Sequence, residues 1–431
     1  MTKKLKLPFV GLSKTAWQNI ALVALGAFFI IHFAYPLYAN DMCTGIGSDY
    51  CVYWTAGRII NDEGYAEVYD VDVLTQYERE VLPEYYDDDG SFHIAAFMYL
   101  PIFAIPFQFL ALLDLKLSFI LWNIIVLVSF TLYLQFFAKK ISGHPLPIRT
   151  FLLIFFSIPI LINTYYGQVS IWMAVFVGEF IRALQDGKPI KAGLWLGGLI
   201  LKPQLLIVLG IFLLLQRQFN VILGLAITGI VAVGASFLLI RVPGFLNLKE
   251  MLFEAAGGGV SSAPPLMMNW HMLGSYFALY TTDQIGTIAS IIASVITLGI
   301  LVWAFRKKID PLSNLYYLAL LGAMAASEVI SWHTHIHMFI ALYPIVFYLF
   351  LREELSKKFL SFLMLFPALM FFIRQIAWGI VSNLANQPDL KVLGLFYIIH
   401  SGTFLALNLY LLDWSIRQYR VKSIVSVGTG E

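Results

Sequence analysis

The run "WQNIALVALGAFFIIHFAYPLYA", Trp17–Ala39, contains no Asp, Glu, Lys or Arg. A helix needs about 20 mostly apolar residues to cross the hydrocarbon of a bilayer. The run is too long for the core of a signal peptide and lacks a small-residue cleavage pattern, so it reads as a retained first span. Similar runs recur towards the C-terminus. Of the 431 residues, 59% are hydrophobic and 13% charged, where a soluble domain carries about 25% charged residues. Mean hydropathy is +0.78. Barrel strands would show short alternating segments instead of continuous runs. The expected fold is therefore an all-α polytopic membrane protein, one integral membrane domain over residues 1–431. The net charge of +2 gives no reason to expect nucleic acid.

Orientation follows from Lys and Arg beside the spans. Lys3, Lys4, Lys6 and Lys14 precede the first span. Further basic clusters stand at 139–149, 182–191, 217, 306–308, 352–358 and 417–422. One path puts them all on the cytoplasmic side. Its spans are 17–39, 115–138, 150–165, 169–186, 190–201, 203–216, 219–240, 286–305, 312–330, 335–351, 358–374 and 392–412, about twelve crossings. Both termini are then cytoplasmic. The apolar stretch 92–113 contains Pro101 and Pro106 and is read as a re-entrant or juxtamembrane helix, since a full crossing would place Lys139, Lys140 and Arg149 outside. Two large extracytoplasmic loops result, 40–114 and 241–285. Cys43 and Cys51 fall in the first and are read either as a disulfide or as two free thiols.

Ionisable residues at membrane depth are functional candidates by default. Lys202 in "GLILKPQLLIVLG" precedes Pro203, which has no amide hydrogen and breaks the helix. Broken helices line ligand cavities, and a cation there suits a phosphate. The bland alternative is a snorkelling lysine at a span end. In "SEVISWHTHIHMFIALYP", His333, His335 and His337 lie between two apolar runs. On one helix His333 and His337 would share a face that suits a metal, but no convincing third ligand follows. No metal is assigned, and dependence on a divalent ion stays open. Neutral histidines bonding a substrate fit better, with Glu328 pairing with one of them. In "TYYGQVS", Gly167 gives a tight turn and Gln168 a polar contact. Asp49 is followed by Tyr50, Tyr53, Trp54 and Arg58, a pattern that fits a short amphipathic helix on the membrane surface. The bland reading makes Asp49 a helix N-cap. The acidic run at 87–89 reads as solvated.

The order of "SDYCVYWTAGRII…VYD", "FMYLPIFAIPFQFLALL", "YYGQVSIWMAVFV", "AGLWLGGLILKPQ" and "SWHTHIH" resembles the GT-C superfamily of membrane glycosyltransferases. It is most similar to glycosyltransferase family 87, the polyprenyl-phosphate-mannose-dependent α-mannosyltransferases and their relatives. The resemblance spans nearly the whole chain. It implies a GT-C-type fold whose large first loop carries amphipathic helices, with Asp49 matching the family's essential acid in that loop. It implies that Gln168, Lys202, Gln204 and the turn with Trp332, His333 and His335 border the same cavity. This chain has Ser327-Glu328 where the family often has Ser-Pro, and "MMNWHML" matches poorly. These departures leave the sugar and acceptor open.

The expected activity is an inverting transfer of a sugar, with mannose implied by the family. It passes from a polyprenyl-phosphate donor to a lipid-linked or glycan acceptor on the outer face of the cell membrane. Asp49 would be the base, Lys202 would balance charge on the leaving phosphate, and Tyr50, Tyr53, Trp54 and Arg58 would contact the substrate. No cofactor is required beyond the donor, and the partners are membrane lipids and the two substrates. The alternative is a transporter or flippase of a lipid-linked or anionic substrate. It would share a broken helix and a buried lysine, but it would often show two related halves, and none is visible.

Overall fold

The computed structural model describes residues 13–39, 42–43, 45–81, 96–256, 264–384 and 390–428. The acidic run at 87–89 lies outside them. Eighteen α-helices follow one another among the described residues, with short 3-10 and π segments between some of them. In chain order they are α1 Lys14–Ala39, α2 Ser48–Asp62, α3 Val71–Val81, α4 Ile105–Leu110, α5 Leu115–Ser142, α6 Ile148–Phe155, α7 Ile158–Tyr166, α8 Ser170–Gln185 and α9 Pro189–Leu196. Then come α10 Gln204–Leu215, α11 Phe219–Ala256, α12 Trp270–Ala278, α13 Asp283–Ala304, α14 Asn314–Ile330, α15 Tyr343–Leu351, α16 Lys357–Leu384, α17 Leu390–Tyr397 and α18 Thr403–Gly428. Extended pairing among the described residues is limited to two isolated bridges.

Six helices are long and apolar enough to cross a membrane, and a seventh crossing arises if α6 and α7, bent by 49°, count as one. The other expected crossings fall on shorter helices. The described part of 92–113 contains the apolar helix Pro101–Leu110. At 1.5 Å per residue it covers about half of a 30 Å hydrocarbon layer. Helix α5 shows how the sequence sets its limits. Asp114 accepts from the amides of Lys116 and Leu117 at one end. Lys139 and Lys140 favour the negative end of the helix dipole, and Gly143 closes it with a φ of 82°. Helix α14 is buried on all sides from Tyr316 to Val329, as a helix apolar all round must be.

The segment 190–216 is a V with its apex at Lys202. Its first arm, α9, runs parallel to α11 at close range. A Cβ at Gly193 would lie 1.9 Å from the Val221 carbonyl oxygen, and one at Gly224 2.1 Å from that of Ile190. Small residues let membrane helices approach this closely. The second arm, α10, runs antiparallel to α14. The Leu205 carbonyl accepts from Ser327, and Phe212 packs on Tyr316. The apex follows from composition: Gly197–Leu201 winds as a tight 3-10 turn, and Pro203 supplies no amide to continue the helix.

A second break stands at Arg241, whose φ is 54°, just before Pro243. It turns the C-terminal part of α11 onto the segment around Ala66. There Gly244 packs on Ala66, and Asn247 donates to the Ala66 carbonyl. Cys43 and Cys51 are joined in a disulfide, which settles the two readings of that pair. One end of the bundle carries the basic clusters of α5, α8 and α13–α16. The other gathers the start of α2, the turn after α7, the apex of the V and the turn before α15.

Candidate functional site

Asp49 lies in the first turn of α2, but it does not cap the helix. The cap position belongs to Gly47, which makes no side-chain cap bond. The Asp49 carboxylate instead accepts from the Gln168 side-chain amide. Gln168 is presented by the turn at Gly167, which ends α7 with a φ of 73°. A Cβ on Gly167 would sit 2.6 Å from the Cβ of Tyr50, so both conformation and space call for glycine there. The carbonyl oxygen of Gln168 accepts from the Tyr53 hydroxyl at 3.0 Å. The Tyr53 and Tyr99 hydroxyls are 2.9 Å apart. With Tyr53 donating to Gln168, Tyr99 donates to Tyr53, and a directed chain runs Tyr99, Tyr53, Gln168, Asp49. That chain fixes which end of the Gln168 amide faces the acid.

Lys202 closes the arrangement from the apex of the V. Its ammonium stands 4.8 Å from the centre of the Tyr99 ring, a cation–π contact. Burial pushes the Asp49 carboxyl above its ordinary range. The Gln168 bond and the Lys202 charge pull the other way without cancelling it. The Tyr53 hydroxyl is pushed up by burial as well, and next by Tyr99 and Asp49, so it stays protonated and able to donate.

The turn before α15 forms the far wall. Gln204 donates to the His333 carbonyl at 2.8 Å. His333 and His335 meet edge to face with ring centres 4.7 Å apart. Burial holds His333 neutral, helped by its neighbours His335 and Lys202. The Met268 amide donates to Thr334, and Met267 pairs with His335. This pairing keeps 331–335 out of helix, so His333 and His337 do not share a helix face as expected. His337 bonds Ser170 instead, Nδ1 to Oγ, at 2.6 Å. Among the described residues no three His, Cys, Asp or Glu side chains group as metal ligands do. Glu328 does not pair with a histidine either. It points towards α18 and accepts from Asn408 at 3.0 Å.

The structure places the remaining expected residues, Tyr50, Trp54, Arg58 and Trp332, as follows. Tyr50 is fully buried, bonds Ser118 and packs on Phe107, Phe119 and Trp122. It sits in the core. Trp54 donates to the Leu113 carbonyl at 3.1 Å, and Arg58 covers its ring while pairing with Asp62 at the surface. At 100° per residue, Arg58 lies opposite Asp49 on α2. Trp332 is half exposed and stacks on His271 at 3.8 Å, at the rim of the site. Tyr99, which holds both Lys202 and Tyr53, was not among the expected residues. An aromatic placed just before Pro101 in an apolar stretch was its only signal.

Beside Tyr53 and Tyr99 opens a cavity of about 470 Å³, lined by residues such as Phe103, Phe107, Trp122, Trp172 and Leu201. Its wall is almost wholly apolar, and Phe109 and Ile125 on its edge are exposed on the lipid-facing surface. A larger cavity of about 630 Å³ lies between α1 and α16. None of the site residues lines it, and it offers only Lys358 and Ser361 as polar groups.

The fold and site define a polytopic helical membrane protein with a half-buried acid, a cation at a helix break and an apolar cavity beside them. The family model of glycosyltransferase family 87 matches residues 97–331, more than half of the chain. The chain belongs to glycosyltransferase family 87 and is thereby a glycosyltransferase. The matched segment contains Tyr99, Gln168, Lys202 and Gln204. It begins after Asp49 and stops before His333. No curated protein and no solved structure matches the chain.

Proposed function

We propose that the protein moves a sugar, mannose by family weight, from a polyprenyl-phosphate donor to a hydroxyl of a lipid-linked or glycan acceptor, with inversion. The observation that carries this reading is the meeting of three features. An apolar cavity open towards lipid ends at Tyr53 and Tyr99, Lys202 lies over Tyr99, and Gln168 ties the same cluster to Asp49. The polyprenyl chain occupies the cavity and its phosphate meets the Lys202 ammonium. The acceptor oxygen forms the new bond to the anomeric carbon. The bond from that carbon to the phosphate oxygen breaks, and its electron pair leaves with the phosphate. The acceptor proton passes to Asp49.

Lys202 is preorganised where negative charge grows, so the phosphate leaves without a strong general acid. Asp49 suits its task because burial raises its affinity for a proton while Lys202 and Gln168 keep the ionised form accessible. No second carboxylate stands beside Asp49 among the described residues to serve as a covalent nucleophile, which favours direct displacement. The disulfide Cys43–Cys51 suits an oxidising compartment. With the charge bias of the loops, it supports placing the site on the outer face of the cell membrane.

The test is release of polyprenyl phosphate from labelled donors carrying mannose, arabinose or glucose, by purified protein with and without acceptor. Lys202→Ala is expected to weaken donor use strongly. Lys202→Arg should recover part of it, since the planar guanidinium does not replace a compact ammonium. Normal donor kinetics in Lys202→Ala, with only a lower melting temperature, would make Lys202 a snorkelling residue. Transport of intact donor without release of polyprenyl phosphate would establish the flippase alternative.

A further inference from the structure

A second cation lies on the Asp49 end of the bundle, in the run "FFIRQIAW", Phe371–Trp378. Arg374 is about 24 Å along α16 from Lys358 at 1.5 Å per residue. A snorkelling arginine turns its head to the headgroups. This one faces inward, with its guanidinium 5.5 Å from the centre of the Tyr397 ring. Its hydrogen bond goes to the neighbouring Gln375 at 3.2 Å, and its Nε is buried with no acceptor. No carboxylate pairs with it among the described residues.

The two cations serve different neighbourhoods. Lys202 acts on Asp49, His333, His335 and His337. Arg374 acts on Tyr166 and His400, and Tyr397 lies beneath it. Tyr166 is within electrostatic reach of both Asp49 and Arg374, and it directly precedes the Gly167–Gln168 turn that holds Asp49. Tyr166 therefore links the neighbourhood of Asp49 to that of Arg374.

We propose that Arg374, backed by Tyr397 and Tyr166, is a second anion subsite that takes the phosphate of an acidic, phosphate-bearing acceptor. The inference rests on reading Lys202 as the donor's phosphate site and Asp49 as the base. A donor phosphodiester carries one negative charge, which Lys202 already meets. Inversion brings the acceptor to the face of the sugar away from the leaving phosphate, beside the base. Arg374 shares the neighbour Tyr166 with Asp49, and the rest of the acceptor is placed towards it. Its planar fork matches two phosphate oxygens, and an unpaired ionisable group at this depth calls for such a partner.

The experiment is native mass spectrometry of the purified full chain, monodisperse in detergent. The probes are dioctanoyl phosphatidylglycerol, a dioctanoylglycerol glucoside without phosphate, inorganic phosphate and decaprenyl phosphate. Arg374→Gln is expected to weaken phosphatidylglycerol retention about tenfold while leaving the neutral glucoside and decaprenyl phosphate unchanged, and Arg374→Lys should restore part of it. Displacement of phosphatidylglycerol by inorganic phosphate supports a subsite that also takes free phosphate. Retention that resists inorganic phosphate supports a lipid headgroup site. Equal loss of the neutral glucoside would make Arg374 a packing residue and overturn the proposal, as would loss of decaprenyl phosphate in Arg374→Gln, or unchanged retention throughout. Lys202→Ala should lose decaprenyl phosphate alone. If it does not, the donor reading fails while the Arg374 subsite stands.

Discussion

Helix α2 carries two aromatic faces with different fates. On one, Asp49 and Tyr53 lie about a turn apart and enter a chain of hydrogen bonds through Gln168 to Tyr99. On the next, Tyr50, Trp54 and Arg58 pass from core to surface, each satisfied locally by Ser118, the Leu113 carbonyl and Asp62. Each face carries a tyrosine and a charged residue. What separates them is where their polar atoms go. A hydroxyl or indole that ends on a neighbouring backbone or serine has finished its work in the fold. One that ends on a half-buried acid orients a group that can still accept a proton.

The largest effect expected from this contrast belongs to Asp49→Asn. Loss of a general base lowers turnover about 10²- to 10⁴-fold. The melting temperature should hold or rise. Burial lifts the Asp49 carboxyl above its unfolded value, so its contribution to stability is present at low pH and is lost as pH rises through the folded pKa. Near neutrality the ionised acid therefore weighs against the fold, and asparagine relieves that load. In the wild type, kcat/KM should fall as pH drops, on a limb lying above the ordinary carboxylate range. Turnover and a pH–rate profile on monodisperse protein check both points. Near-wild-type turnover in Asp49→Asn would remove Asp49 as the base and direct attention to His333 and His335.

Gly167→Ala should come next. The new Cβ would meet Tyr50 at 2.6 Å in a conformation with φ of 73°, and a strained position of this kind costs about 1–3 kcal/mol. Because the same turn presents Gln168, turnover per folded molecule should fall together with thermal stability. Unchanged stability would show that the contact between the two faces of α2 and the α7 turn is looser than the geometry implies.

Much of this site could be read from residue type and order alone. Lys202 was legible because an ammonium beside a proline inside an apolar run is costly unless an anion meets it there. Gln168 and the His333 turn were legible as polar breaks between spans. The V at 190–216 followed from the basic residues at both of its ends. Tyr50 and Arg58 were misplaced because a loop helix that is packed on several sides has no single apolar stripe to reveal its orientation. Tyr99 and Arg374 were missed for different reasons. Tyr99 gains its role only through contacts distant in sequence. Arg374 obeys the same rule that exposed Lys202, but no proline marks it. The pairing of 331–335 with Met267 and Met268 was also beyond local pattern, since the partner segment lies in another loop.

The smallest effects test the helix faces most directly. Tyr53→Phe removes the nearer of the two donors to the Gln168 side-chain carbonyl, so the amide is held less firmly towards Asp49. Turnover should fall several-fold with little change in stability, because Tyr99 can still reach Gln168, at 3.5 Å. Tyr50→Phe removes a buried hydrogen bond while Ser118 keeps its own bond to the Leu110 carbonyl. It should cost about 1 kcal/mol of stability and leave turnover unchanged. Arg58→Ala breaks a pair whose side chains are 44% and 38% exposed, and such surface pairs contribute about 0–1 kcal/mol. Neither stability nor turnover should move measurably. A loss of turnover in Tyr50→Phe or Arg58→Ala equal to that in Tyr53→Phe would mean that α2 rotates when substrate binds, bringing its second face into the site.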